Sequence, residues 1–296
     1  MHLTGLTDTL GFPCKYASKT SKQQNKTWVL TTMTATRSSI SAFIVCCNEE
    51  QKIRRCLESV SWCDEIIVVD SGSTDTTLQI CSELGATVYH QPWLGYIEQK
   101  RYALSLCSST WILNLDADEV VSDTLREELV DILARDAVGA IREDGFLLNR
   151  VVFFLNRWWR RGGWYPEYRL RLCRRDKTTW GGNEPHEKAI VSGATARCKG
   201  ELQHFSFSDL QDFIARSNTL SSNSIPTLLA KGTRFSGAHL LLRPLARFIK
   251  FYLIKRGFRE GYAGLIIALL EASAVLAKYA KLWEQTRLSN PDEKNS

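Results

Sequence analysis

Short apolar runs alternate with helical patterns between about residue 40 and residue 133. The runs are too short for helices and are flanked by polar residues, which favours buried strands. They cover residues 40–46, 66–69, 87–89 and 111–115. In the segments between and after them, apolar residues recur every three to four positions, as in the helix face Leu125, Leu129, Ile132 and Leu133. This alternation predicts an α/β fold with a mostly parallel sheet, right-handed crossovers and helices on both faces.

Capping residues precede two of the predicted helices. Asn48, which is followed by two glutamates, is the expected N-cap of the helix after the first strand. Ser122 is the expected N-cap of the helix after the fourth strand. A third helix is predicted near residues 96–107, where it leads into the fourth strand.

Further segments complete the predicted domain organisation. Residues 1–37 are rich in Ser, Thr, Lys and Gln, so we expect a disordered leader or a mis-called start, with Met33 as the alternative initiator. Residues 38–205 are expected to form the α/β domain. Residues 206–288 are expected to form a C-terminal region of amphipathic helices, within 208–232 and 238–285. The tail, residues 289–296, is expected to be disordered.

Composition and charge narrow the class of protein. A hydrophobic content of 44% allows a sizeable core, and nine cysteines without a C-x-x-C spacing fit a reducing compartment. No segment reaches the roughly 18 uncharged apolar residues of a spanning helix, since the nearest, 263–277, carries Glu271. The net charge of +6 is modest, but basic and aromatic residues interleave in 243–259. That pattern is typical of a membrane-interface helix, or of a packed helix with a solvated basic face.

Acidic residues follow two of the predicted strands. Asp70 ends the second strand, and Asp116 and Asp118 follow the fourth, separated only by Ala117. The carboxyl ends of parallel strands share one edge of the sheet, where ligands bind in open α/β folds. Close carboxylates repel unless a cation lies between them, and a divalent ion that also holds phosphate oxygens is the natural candidate. A solvated acidic turn, and for Asp70 a simple turn former, are the alternatives.

Two familiar nucleotide-binding motifs are absent from the sequence. It contains no G-x-x-x-x-G-K-[ST], and no G-x-G-x-x-G follows the first strand, which argues against P-loop proteins and dinucleotide-binding dehydrogenases. An Asp-x-Asp at a strand end can instead hold a diphosphate through a metal ion. Such a diphosphate is a good leaving group, because the ion stabilises the charge that develops as the bond breaks.

Three motifs resemble those of family 2 glycosyltransferases with the GT-A fold. They are AFIVCCNEE at 42–50, VVDSGSTDTT at 68–77 and LDADE at 115–119. The resemblance continues to about residue 285. Over that length the chain is similar to the bacterial lipopolysaccharide-core β-1,4-glucosyltransferase group. This resemblance implies a GT-A, Rossmann-like α/β domain. It also implies inverting transfer of a hexose, with glucose from UDP-glucose as the expected donor, onto a lipopolysaccharide inner-core sugar.

The resemblance also implies a cofactor and a set of site residues. Contacts with the nucleotide sugar are expected from Cys47, Asn48, Glu49, Asp70, Lys100, Asp116 and Ala117. A divalent Mg or Mn ion is expected on Asp116, Asp118 and His204. Contacts with the acceptor are expected from Gly163, Trp164, Tyr165, Arg169 and Glu184. Cys47 and Arg101 depart from the family pattern, in which many relatives carry Tyr and Asn, respectively.

A carboxylate on the acceptor side is expected to act as general base. An acceptor hydroxyl is a poor nucleophile near neutral pH, so a positioned group must take its proton, away from the metal-bound acids. The candidates are Glu167, Glu184 and Glu187. Glu187 directly precedes an apolar run at 189–191 and matches the family motif, so it is the first choice. Glu184 is the second.

Two rival functions follow from the same sequence. A polyprenyl-phosphate sugar transferase of the same family would differ in its acceptor. A nucleic-acid-binding protein would use the arginines and aromatics of 153–166, and it predicts salt-dependent binding of oligonucleotides without any need for Asp118. Under the glycosyltransferase interpretation we expect a lipid-linked acceptor, no nucleic-acid partner, and a cytoplasmic protein bound peripherally to the cytoplasmic face of the bacterial inner membrane.

Overall fold

The computed structural model describes residues 37–183 and 186–289. The predicted leader up to residue 36, the predicted tail from residue 290 and the candidate residue Glu184 lie outside the described residues. The strands are β1 (Ile40–Cys46), β2 (Glu65–Asp70), β3 (Thr87–His90), β4 (Trp111–Asp116), β5 (Glu119–Val121), β6 (Gly145–Phe154), β7 (Arg157–Trp159), β8 (Glu167–Arg174), β9 (Thr178–Asn183), β10 (His186–Val191) and β11 (Thr195–His204). The α-helices are α1 (Ile53–Ser59), α2 (Thr77–Glu83), α3 (Tyr96–Leu106), α4 (Asp123–Ala137), α5 (Leu210–Ala230), α6 (Gly237–Ile249) and α7 (Gly261–Ser289).

The first four strands form the parallel half of the main sheet. Their order is β3-β2-β1-β4, and the register pairs Cys46 with Asp70 and Val45 with Asp116. The carboxyl ends of β2 and β4 therefore flank the end of β1, as the sequence predicts. Beyond β4 the sheet continues as β8-β6-β11-β5, in which only β6 and β11 run parallel.

The central strand β1 is buried on both faces, as expected for a strand inside a parallel sheet. Ile40, Ala42 and Ile44 pack against α1, α2 and α4. Phe43 points to the opposite face, where it meets α3 and the β9–β10 hairpin, with its ring centroid 5.5 Å from that of Trp180. Helices thus cover both faces, and the α/β prediction is confirmed.

The first helix begins later than the sequence suggests. Ser122 caps α4 as predicted, by accepting a hydrogen bond from the Leu125 backbone nitrogen. Asn48 does not cap α1, because the helix begins only at Ile53. Instead, Asn48 has a φ of 55°, and its side-chain oxygen accepts a hydrogen bond from the Thr74 backbone nitrogen at 2.8 Å. The predicted capping role is therefore wrong, because the side chain is used to join two loops.

The C-terminal helices pack on the far half of the sheet. Phe154 of β6 and Trp159 of β7 share a buried cluster with Phe213 of α5, Phe251 and residues of α7. The loop at Gly162 and Gly163 lies against the Phe251 ring, and a Cβ atom on Gly162 would come within 2.6 Å of it. The helices are thus in direct contact with the glycine loop that the sequence assigns to the acceptor.

The last helix is a candidate for spanning a membrane, although the sequence contains no uncharged apolar stretch of roughly 18 residues. The helical stretch Gly257–Arg287 is long and apolar enough for that by length and composition. Glu271 lies within it and is partnered: Arg247 and the Trp164 indole nitrogen both donate to its carboxylate. Helices that never enter a membrane can meet the same criterion, so length and composition do not by themselves assign a span.

Candidate active site

The loops that follow β1 and β2 are joined by hydrogen bonds. In addition to the bond between Asn48 and Thr74, the Glu49 backbone nitrogen donates to the Thr77 hydroxyl at 2.8 Å. Cys47 and Asn48 are exposed, while Glu49 is half-buried and burial raises the pKa of its carboxyl group. Cys47, Asn48 and Glu49, all expected to contact the nucleotide, thus follow β1 at the edge of the sheet. We call these three residues the ledge.

Asp70 is held inside the turn after β2. Its side chain is 1% exposed and accepts hydrogen bonds from the Gly72 backbone nitrogen at 2.9 Å and the Ser73 backbone nitrogen at 3.1 Å, while His90 Nδ1 lies 3.2 Å away. Burial would raise the pKa of Asp70, but the hydrogen bonds from Ser73 and Gly72 outweigh it and the pKa is lowered. A contact between Asp70 and a nucleotide base stays a prediction.

We expect Asp70→Asn to lower the free energy of unfolding at pH 7 by about 1–3 kcal/mol, since an amide cannot accept this set of hydrogen bonds. The folded-state pKa is depressed, so the contribution of Asp70 is complete above its unfolded value of about 4 and is lost as the pH falls toward the folded value. Urea unfolding from pH 7 to pH 3 should therefore show the gap between variant and parent narrowing. Asp131→Asn removes an exposed carboxylate and is the control; a gap that is constant with pH would contradict the account.

Asp116 lies in a network of charges at the end of β4, in which its own side chain is 41% exposed. Its Oδ1 accepts a hydrogen bond from Lys100 Nζ at 3.0 Å, and its Oδ2 accepts one from Arg171 Nη2 at 2.5 Å. The same Arg171 nitrogen donates to Glu119, which is fully buried, and Lys100 also donates to Asn114 at 2.9 Å. Burial would raise the pKa of Asp116, but Arg171 and Lys100 outweigh it and hold the pKa well below its usual range.

This pairing bears on the expected role of Asp116 as a metal ligand. Each carboxylate oxygen accepts one hydrogen bond from a cation and keeps a further lone pair, and the side chain is 41% exposed, so metal ligation by Asp116 stays a prediction. The alternative is that Asp116 fixes these two cations next to the diphosphate.

Asp118 faces His204 across the strands β5 and β11. Its Oδ2 lies 3.4 Å from His204 Nε2 and 3.8 Å from Lys52 Nζ. Burial would raise the pKa of Asp118, but the hydrogen bond and charge of His204 outweigh it, and the pKa is lowered. The residue between the two acids, Ala117, is buried, and Asp116 and Asp118 have different cationic partners.

Asp118 and His204 fit a divalent cation as a pair of ligands. A carboxylate oxygen and an imidazole nitrogen at this separation can share one ion, and both suit Mn²⁺, whereas Mg²⁺ prefers oxygen. Across the described residues, no group of three or more His, Cys, Asp and Glu side chains is placed to hold a metal.

A cavity of about 300 Å³ opens beside Asp116, under the β9–β10 hairpin. We call it the inner cavity. Its charged lining includes Lys100, Asp116, Arg169, Arg171 and Glu187. The structure thus brings the expected base, Glu187, into the same cavity as Asp116, although the two are distant in sequence.

A second cavity, of about 360 Å³, adjoins the inner one. This outer cavity is lined by Gly163, Trp164, Glu167 and His204, and Arg150 lines both cavities. Arg150 donates to Glu167 at 2.7 Å, and this pair forms part of the wall between them. Tyr165 does not line either cavity, because its hydroxyl is bonded to Asn149 and Glu201; its contact with the acceptor stays a prediction.

Several residues of the site were missed by the sequence analysis. Arg171 and Arg150 neutralise Glu119, and Lys52 approaches Asp118. The alternation Arg169-Leu170-Arg171 does indicate a basic strand face, but it does not say which acid each arginine meets. Arg101, which departs from the family pattern, donates to the Trp180 carbonyl oxygen and supports the hairpin over the inner cavity.

Comparison with known proteins gives the family of this chain. The model for glycosyl transferase family 2 matches residues 41–193, which include the ends of β1, β2 and β4 and the hairpin over the inner cavity. The chain belongs to glycosyltransferase family 2. The predicted family and the prediction that the protein is an enzyme are therefore confirmed.

Relatives of this glycosyltransferase extend over most of its length. The lipopolysaccharide core biosynthesis glycosyltransferase LpsC of Rhizobium meliloti is 31% identical over 84% of this chain and 93% of its own. A protein of Rickettsia typhi named as an uncharacterized glycosyltransferase is 31% identical over 83% of this chain and 87% of its own. The mannosyltransferase PcManGT of Pyrobaculum calidifontis, solved with GDP-Man and Mn²⁺, superposes with a TM-score of 0.52, at 11% identity over 84% of this chain and 88% of its own. This likeness concerns the fold and confirms the GT-A prediction.

Proposed function

We propose that this glycosyltransferase moves a hexose, expected to be glucose from UDP-glucose, onto an inner-core sugar of lipopolysaccharide with inversion at the anomeric carbon. The observation that carries the proposal is the inner cavity, which has Asp116 and two cations on the donor side and Glu187 on the facing hairpin. The full-length likeness to LpsC supports lipopolysaccharide core as the acceptor class.

The donor side of the site is suited to a nucleoside diphosphate. The ledge of Cys47, Asn48 and Glu49 would receive the nucleoside, next to the turn that holds Asp70. Lys100 and Arg171, fixed by Asp116, would lie beside the diphosphate and stabilise its negative charge by preorganised electrostatics.

A divalent ion on Asp118 and His204 is part of the proposal. When bound, it would neutralise the charge that develops on the diphosphate as its bond to the sugar breaks. The structure of PcManGT in complex with GDP-Man and Mn²⁺ supports this choice of cofactor. Lys52, 3.8 Å from Asp118, would add positive charge at the same place.

On the acceptor side, Glu187 would take the proton from the attacking hydroxyl. Glu187 and Asp116 both line the inner cavity, and we propose that Glu187 serves the acceptor side, so that attack comes from the face away from the diphosphate, as inversion requires. Gly163, Trp164, Arg169 and Glu184 would hold the acceptor sugar, with the outer cavity as its route of entry.

A donor screen tests the proposal. The enzyme is incubated with UDP-, GDP- and ADP-hexoses and a core-truncated lipopolysaccharide, with Mg²⁺, Mn²⁺ or a chelator, and nucleotide release is measured. We expect release only with a UDP-hexose, the acceptor and a divalent ion. Release that is equally fast in chelator would contradict the role of the metal.

Asp118→Asn is expected to abolish metal-dependent transfer while leaving the fold intact. Removing a residue that hydrogen-bonds to a metal ligand typically lowers activity by about 10–100-fold, and removing a direct ligand should lower it more. Turnover and metal-dependent UDP binding are measured together, with Asp123→Asn, an exposed carboxylate on α4, as the control. An Asp118→Asn enzyme with unchanged metal dependence would rule out ligation by this residue.

A polyprenyl-phosphate acceptor is the second candidate, favoured by the apolar stretch Gly257–Arg287. The same assay separates the two, because the second candidate would transfer to polyprenyl phosphate and leave lipopolysaccharide unmodified. In either case we propose that the enzyme works at the cytoplasmic face of the inner membrane.

A further inference from the structure

A basic groove runs between α6 and α7, well separated in sequence from the acids of the active site. It has a volume of about 480 Å³, and its charged lining is entirely cationic, from Arg243, Arg247, Lys250 and Lys278. The ring of Tyr279 forms part of its wall. Arg243 lies 5.4 Å and Lys278 lies 5.0 Å from the centroid of that ring.

Three of these cations have no carboxylate partner in the described part of the chain. Only Arg247 is paired, with Glu271. Burial lowers the pKa of Lys278, and the charges of Arg243 and Arg247 lower it further. Like charges held together in a half-buried groove repel one another, so an anion bound among them would be stabilised. A phosphate group, with several acceptor oxygens, suits arginine and lysine donors.

The surface next to the groove is apolar and exposed. Leu241 is 75% exposed and Leu242 is 62% exposed, and Leu245 and Ile249 continue the apolar side chains along α6. A soluble phosphate would use the cations but leave these side chains in water. A lipid at a membrane surface would use both, since its phosphate can enter the groove while the leucines enter the interface.

We propose that the α6–α7 groove binds the headgroup phosphate of an anionic phospholipid at the membrane surface. The proposal deepens the proposed function and rests on it, because a lipid-linked acceptor must be met at a membrane. Arg247 also connects the groove to the active site. Glu271 accepts hydrogen bonds from Arg247 at 2.9 Å and from the Trp164 indole at 2.8 Å, and Trp164 lines the outer cavity. A lipid in the groove would therefore hold the outer cavity near the membrane surface.

Vesicle sedimentation with the full chain tests this inference. Binding is compared for phosphatidylcholine vesicles with and without phosphatidylglycerol, using the double variant Arg243→Gln/Lys278→Gln. We expect the double variant to bind the anionic vesicles about 30-fold more weakly than the parent protein does. The control, Lys199→Gln/Lys231→Gln, removes the same charge from exposed positions outside the groove and should keep most of the affinity. An equal loss in both double variants would mean that only overall charge matters, and would overturn the groove.

Three further comparisons complete the test. They concern a variant that keeps the charges, soluble phosphate in place of lipid, and the outcome of the donor screen. Arg243→Lys/Lys278→Arg keeps the charges and should keep vesicle binding; loss of binding in this variant would mean that the two positions act through packing and would overturn the phosphate site. Inorganic phosphate is titrated alone; binding as strong as that of the vesicles would make the groove a site for soluble phosphate and refute the lipid. Vesicle binding needs no donor or acceptor, so a failed donor screen would remove the proposed function without affecting this measurement.

Discussion

Changing Glu187 to glutamine should slow sugar transfer by about 10²–10⁴-fold, the usual contribution of a positioned general base. Glutamine keeps the shape of the side chain in the wall of the inner cavity but cannot accept the proton of the acceptor hydroxyl. Donor binding should stay near that of the parent enzyme, because the ledge and the network around Asp116 are untouched. Turnover and UDP binding are measured on the same preparations.

Two other glutamates provide the comparison for Glu187. Glu167 accepts hydrogen bonds from Arg150 and Arg169, and although burial would raise its pKa, these arginines lower it, so it is a poor proton acceptor. Glu167→Gln should therefore affect the binding of the acceptor more than turnover. If Glu184→Gln is inactive while Glu187→Gln turns over normally, Glu184 is the base. If both turn over normally, the base does not come from this hairpin.

Changing Arg171 to methionine should lower the free energy of unfolding by about 3–5 kcal/mol, because it leaves the buried carboxylate of Glu119 without one of its two arginine partners. Arg171 is 8% exposed and donates to both Asp116 and Glu119, and Glu119 is 0% exposed. Arg150 remains 3.3 Å from Glu119 but is shared with Glu167, so it replaces only part of the lost interaction. Equilibrium unfolding in urea at pH 7 measures the change.

A neighbouring arginine and a second substitution control this measurement. Arg169 lies on the same strand and forms an ion pair with Glu167, but its side chain is 50% exposed, so Arg169→Met should cost no more than about 1 kcal/mol. The double variant Arg171→Met/Glu119→Gln removes the buried charge together with its partner and should recover part of the loss. A double variant that is less stable than Arg171→Met would contradict this account, because it would show that Arg150 and the Asp116 backbone nitrogen still stabilise the Glu119 carboxylate without Arg171.

The parallel half of the fold could be predicted from the sequence, because its signals are local. The apolar run of β1, the turn residues after Asp70 and the cap at Ser122 each lie within a few residues of the element they define. Placing Asp70 and Asp116 at one edge of the sheet then needed only the rule that parallel strands end together.

The rest of the site depends on contacts between distant segments. The residues that follow Asn48 are typical of a helix N-terminus, which predicts a cap. The hydrogen-bond partner of the Asn48 side chain, Thr74, lies in the next loop. The arginines that pair with Glu119 lie on β6 and β8. No periodic pattern within these segments indicates that the strands are ordered β8-β6-β11-β5. Glu271 made the last helix look too polar, although its charge is met by Arg247 and Trp164. In each case the deciding partner is far away in the chain.

The contact between the glycine loop and Phe251 also limits how this chain can be recombined with its relatives. Gly162 and Gly163 leave room for the Phe251 ring, and a side chain at either position would overlap with it. A hybrid of this chain and a relative, joined near residue 205, would take positions 162 and 163 from one parent and position 251 from the other. The C-terminal helices are therefore not an exchangeable module, and positions 162, 163 and 251 have to be inherited together.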